Sequence, residues 1–119
     1  MATRSNIYVE TRPGTYLGTY CHYDGYPSHV FPTLLAMSKD ELLGHILMSM
    51  ARGGIRIIEG QGATEYLDDT SCDPVVMTNP STSDWGAEYV YIKCYNGDVK
   101  WRDCYDSTDG WKDDYQEGQ

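Results

Sequence analysis

Positive charge is scarce in this sequence: Lys+Arg number 9 against Asp+Glu 18, for a formal net charge of -9 and a pI near 4.5. Nucleic-acid affinity rests on neutralising phosphates with lysine and arginine, so direct DNA or RNA binding is not expected. Long apolar runs are also missing. No stretch approaches the roughly 18–20 residues that a membrane span needs, and the opening Met-Ala-Thr-Arg-Ser-Asn lacks the apolar block of a secretory signal. The expected setting is therefore a cytoplasm, with no membrane partner. The cysteines Cys21, Cys72, Cys94 and Cys104 form no Cys-x-x-Cys pair, and they read as reduced thiols. Phenylalanine is nearly absent, one residue against 11 tyrosines and 3 tryptophans. Tyrosine and tryptophan join apolar area to a polar handle, which suits sheet faces, partner interfaces and stacking on flat ligands.

A chain of 119 residues, 40% hydrophobic, matches one core, since domains run about 100–150 residues. The expected division is a single α+β domain over 1–105 and an acidic tail over 106–119. In that tail Asp106, Asp109, Asp113, Asp114 and Glu117 face the single base Lys112. Such a segment tends to stay solvated, with Trp111 and Tyr115 as the residues able to pin it to the body or to a partner.

Apolar residues alternate from Ser5 to Arg12, with Ile7 and Val9 on one side and Tyr8 and Glu10 on the other. A Pro13-Gly14 turn leads into a second strand over Thr15 to Tyr23, so the two predict a hairpin. Asp24-Gly25-Tyr26-Pro27 ends it, and Pro32 places the start of a short helix near Phe31. Ser38 and Glu41 form a capping box for a main helix from Lys39 to Arg52, which Gly53-Gly54 stops. Ile55 to Ile58 predicts an edge strand, and residues 60–84 a long loop.

Near the end, Asn96-Gly97 between two alternating runs predicts a two-residue type I′ hairpin, which pairs Cys94 with Val99 and Ile92 with Trp101. In that register Val90, Ile92, Cys94, Val99 and Trp101 cover the main helix, Tyr91 and Arg102 face away, and Lys93 stands opposite Lys100. The expected fold class is thus α+β: a mostly antiparallel sheet of two hairpins, packed on one face by a main helix and a short preceding one.

Reactive residue types are densest in Tyr20-Cys21-His22-Tyr23-Asp24-Gly25-Tyr26-Pro27-Ser28-His29. His22, Asp24 and His29, with Cys21 as a fourth candidate, are competent metal ligands. His22 held by Asp24 could serve as a general base acting on Cys21, Ser28 or a water, in a small hydrolase or metal-dependent enzyme. Cys21 and His22 are adjacent in a strand and point to opposite faces, which weighs against both. The plain alternative has Asp24 capping the turn and His22 bonding to backbone.

"SNIYVE", then "GTYLGTYCHYDGYPSHVFPTLL", and the late "YVYIKCYNGDVKW" resemble a group of small bacteriophage and prophage proteins marked by Tyr-Cys-His-x-Asp-Gly-Tyr-Pro. The likeness covers Ser5 to Leu35 well and the last hairpin loosely. Phe31 departs from the group's Gly before Pro. The resemblance implies a phage-encoded accessory protein in the host bacterial cytoplasm, and it carries over no reaction. By analogy of context it points to counter-defence, either by blocking a host defence protein or by sequestering a small nucleotide-type ligand. The binding residues expected for that role are Tyr20, His22, Asp24, Gly25, Tyr26, Tyr91, Lys93, Lys100 and Arg102, with no cofactor. An acidic mimic of nucleic acid ranks third, and homo-oligomerisation stays open.

Overall fold

The computed structural model describes residues 3–60, 63–68, 75–77, 87–104 and 110–115. The N-terminal hairpin forms as its alternation predicts. Strand β1 (Ser5–Arg12) pairs antiparallel with β2 (Thr15–Cys21), Ile7 opposite Thr19 and Val9 opposite Leu17. Gly14 at the turn has φ 82, a left-handed conformation that costs glycine little. Opposite Tyr8 lies Gly18, where a Cβ would run into the Tyr8 ring.

Helix α1 (Pro27–Ala36) begins four residues before the expected Phe31, with Pro27 at its first position and Pro32 inside it. Pro32 forfeits one helical hydrogen bond. Val30, Phe31 and Leu34, spaced three and four apart and buried, supply the packing that offsets the loss. Helix α2 (Lys39–Arg52) has the expected bounds. The Ser38 hydroxyl accepts from the Glu41 amide at 3.1 Å, and Gly53 closes the helix at φ 79.

After α2 come β3 (Ile55–Ile57), β4 (Glu65–Tyr66), β5 (Val75–Met77), β6 (Tyr89–Lys93) and β7 (Val99–Asp103). They form one sheet in the order β4-β3-β2-β1-β6-β7, with β5 also paired to β2. The fold class is α+β. The sheet is mixed, however, since β3 runs parallel to β2 and β6 parallel to β1. The helices between β2 and β3 form the long crossover that parallel pairing requires. Nor is β3 an edge, because β4 lies outside it, and β4 and β5 fall within the expected 60–84 loop.

The C-terminal hairpin departs from its expected register by one residue. Lys93 pairs with Val99, Tyr91 with Trp101 and Ile92 with Lys100. The cause is a three-residue loop, Tyr95-Asn96-Gly97, in which Gly97 alone takes a positive φ of 98. The Cys94 amide donates to Asp98 O at 2.7 Å, and the Gly97 amide donates to Cys94 O at 2.9 Å. Asn-Gly serves this loop as well as the two-residue one, and the slip decides which β7 residues share a face with which β6 residues.

The main core therefore joins Ile7, Val9, Cys21, Ile55, Tyr91, Val99 and Trp101 of the sheet to Val30, Phe31 and Leu34 of α1 and Leu42 and Ile46 of α2. Trp101 and Val99 face the helices as expected. Val90 and Ile92 instead join Tyr8 on the far face, with Tyr16, Cys94, Cys104 and Trp111 against them.

Residues 110–115 of the expected acidic tail pack on the body. Lys112 exchanges backbone hydrogen bonds with Trp101 at 2.8 and 2.9 Å, which covers the outer edge of β7. Trp111 packs on the far-face cluster and Tyr115 on the main core, so the two residues singled out in the tail do pin it to the body. Asp106, Asp109 and Glu117 lie outside the described residues, as does Cys72. Among the described residues no helix is long and apolar enough to cross a membrane.

Candidate recognition site

The Tyr20–His29 segment leaves the sheet between β2 and α1, and most of its polar groups are engaged by the fold. The amides of His22 and Tyr23 donate to Ile55 O and Arg56 O at 2.9 and 2.8 Å. Cys21 is buried, with its thiol donating to Tyr23 O at 3.5 Å. Burial pushes that thiol up to about 11, so almost none is thiolate at neutral pH. Asp24 takes a positive φ of 55 to make the turn. The Gly25 amide then donates to Thr3 O at 2.9 Å, and a Cβ on Gly25 would lie 2.7 Å from both Thr3 O and Ser5 Oγ. The buried Tyr91 hydroxyl donates to Gly25 O at 2.5 Å. The motif's glycine is thus required where the backbone passes tightly over β1.

The histidines do not converge. His29 donates from Nε2 to Ile58 O at 2.8 Å, while His22 Nδ1 lies 2.6 Å from the Tyr20 hydroxyl. Among the described residues no three His, Cys, Asp or Glu side chains are gathered as metal ligands, so His22, Asp24 and His29 are not brought together as the metal alternative requires. His22 and Asp24 likewise stand without a thiolate nucleophile, because Cys21 is buried and protonated. Tyr23, Tyr26 and Ser28 are the exposed members of the segment.

The expected basic cluster is divided by the one-residue slip. Tyr91 and Lys93 face the helices. Lys93 is buried, its ammonium 3.5 Å from Leu35 O near the end of α1, and burial lowers its pKa. Lys100 and Arg102 pair with Ile92 and Val90 on the far face, where Lys100 lies 3.8 Å from the Asp113 carboxylate.

On that far face the structure forms a groove of about 670 Å³ that the residue pattern does not announce. Tyr16 and Ile92 line it from the strands, and Trp111 and Asp113 from the C-terminal segment. The β6–β7 loop contributes Tyr95 and Asp98. Glu10 ties the two hairpin loops together, its Oε2 accepting from the Gly14 amide at 3.0 Å and its Oε1 from the Tyr95 amide at 2.8 Å. The Gly14 bond is the main reason this carboxyl is held below its ordinary pKa. Across the loop, the Lys39 ammonium sits 3.8 Å from the centroid of the Tyr95 ring.

Among the described residues the groove offers the aromatic side chains of Tyr16, Tyr95 and Trp111 and the carboxylates of Glu10, Asp98 and Asp113, with Lys100 as the one base in its lining. Cys94 at its edge is half-buried, and burial raises its thiol pKa. The arrangement is suited to holding a basic, partly apolar segment, and among the described residues it pairs no nucleophile with a base. Apart from Lys100, which was among the expected binding residues, its residues were missed because they come from three stretches that only the observed register brings together. The signal available was Gly97, which fits a three-residue loop as well as a two-residue one. Compared with known protein families, curated proteins and solved structures, the chain matches none.

Proposed function

We propose that this chain is a non-catalytic binding module that occludes a protein target through a basic segment. In the setting implied by its resemblance to small phage proteins, it is a phage-encoded accessory protein that neutralises a defence component in the host bacterial cytoplasm. The observation that carries the reading is the far-face groove, where Asp98 and Asp113 stand beside Tyr16, Tyr95 and Trp111 on a chain of net charge -9. Such a surface steers basic partners by its sign and holds them by aromatic contact.

A nucleotide-type signal needs concentrated positive charge, and the lysines that would supply it face opposite sides of the sheet. For an enzyme centred on His22 and Asp24, the buried Cys21 thiol is a poor nucleophile, and among the described residues no three potential ligands are gathered for a metal, which leaves Ser28 or a water as the group His22 would activate.

The test is to immobilise the protein, pass bacterial lysate over it, and identify both the proteins retained and the small molecules released by heat. A protein should be retained, elute as salt shortens the Debye length from about 30 to 3 Å, and be lost with Asp98→Lys/Asp113→Lys. A nucleotide released with no retained protein would overturn the reading. So would stoichiometric zinc that tracks His22→Ala.

A further inference from the structure

A second cavity, of about 410 Å³, opens on the helix side of the sheet at the start of α1. Its aromatic wall comes from four separate segments: Tyr26 in the turn before α1, Tyr89 on β6, Trp101 on β7 and Tyr115 in the C-terminal segment. The rings are inclined, Tyr89 to Trp101 at 52° with centroids 6.2 Å apart and Trp101 to Tyr115 at 71° and 6.0 Å. A flat base stacks best in a slot between parallel rings, and neither of these pairs forms one. Inclined faces suit a compact positive group, which is drawn to the negative face of each ring it meets. Asp103 adds a carboxylate to the lining.

One cation already occupies this wall. The Lys112 ammonium lies 4.8 Å from the centroid of the Trp101 ring, delivered by the backbone bridge between Lys112 and Trp101. We infer that the cavity is a recognition site for an organic cation, a quaternary or methylated ammonium group, and that Lys112 is its resident stand-in. The incoming cation displaces the Lys112 ammonium from Trp101, and the backbone bridge keeps the C-terminal segment in place. The site is separate from the far-face groove and holds whether or not that groove binds a protein.

The test needs no partner. Choline is titrated into the full chain at constant ionic strength, followed by NMR of the Trp101 indole and the Lys112 side chain, with the neutral isostere 3,3-dimethylbutanol and adenosine monophosphate as comparison probes. Choline should shift both signals to saturation while the neutral isostere does not. Lys112→Gln should tighten choline binding about two- to fivefold, the ratio equivalent to an exposed cation–π contact. Asp103→Asn and the exposed-site variant Tyr26→Leu should each weaken it. Equal responses to choline and its isostere, saturation by adenosine monophosphate instead, or choline affinity unmoved in all three folded variants would overturn the inference.

Discussion

The Tyr20–His29 turn and the far-face groove use their residues in opposite ways. The turn is crowded with histidine, cysteine, aspartate and tyrosine, yet its Cys21 thiol is buried, its Gly25 is clamped against Thr3 and Ser5, and His29 is tied to Ile58 O. The groove's side chains line an open surface, with Tyr95, Asp98 and Asp113 exposed. Density of reactive side chains therefore marks a structural joint here, where a tight turn must satisfy many polar groups at once. In the proposed function, recognition falls to the surface left over when the two hairpin loops are tied together by Glu10.

The largest effect that separates the two regions is chemical. Cys21 should react with iodoacetamide about a hundredfold or more slowly than a free cysteine at neutral pH, since a thiol near 11 leaves little thiolate. Cys94, half-buried at the groove, should label well before Cys21 in the folded protein when the peptides are mapped by mass spectrometry. Rapid labelling of Cys21 would return a nucleophile to the turn.

The next effect is in stability. Gly25→Ala should cost about 1–3 kcal/mol in denaturant unfolding, because its Cβ meets backbone that cannot yield cheaply. Smaller again, Glu10→Gln should cost about 1 kcal/mol near neutrality, as expected for partly exposed charge-assisted hydrogen bonds. The folded-state pKa of Glu10 lies below its unfolded value. Its contribution is accordingly full above the unfolded pKa and lost as pH falls through the folded one, so parent and variant should converge in acid. Smallest of all, Asp113→Lys should change stability by no more than about 0.5 kcal/mol, as a surface substitution does, while weakening partner binding. A core-sized loss of stability there would show that the groove is scaffold as well.

What could be read from the sequence was local. Ile7 and Val9 alternate through a strand whose turn, Pro13-Gly14, follows at once. Ser38, Glu41 and Gly53 bracket α2 by contacts within a few residues. What could not be read depended on distant segments. The parallel pairing of β6 with β1 has no signature in either strand. Pro32 is tolerated because α1 is held by its buried stripe and does not rest on propensity alone. The register of the last hairpin turned on whether one or two loop residues take positive φ, a choice that Asn96-Gly97 permits either way. That choice also settled the candidate site. It sent Lys93 beneath α1 and Lys100 to the far face, dissolving the expected basic cluster and forming the groove with Trp111 and Asp113 of the tail.

The proposed function has partners met by the groove, with the turn as scaffold. It is tested most directly by recording backbone amide shifts of the labelled protein as its captured partner is added. The largest changes should fall on Tyr16, Tyr95, Asp98, Lys100 and Trp111, with Cys21 to Tyr26 nearly still. Changes centred on His22, Tyr23 and Asp24, with the groove signals unmoved, would contradict it.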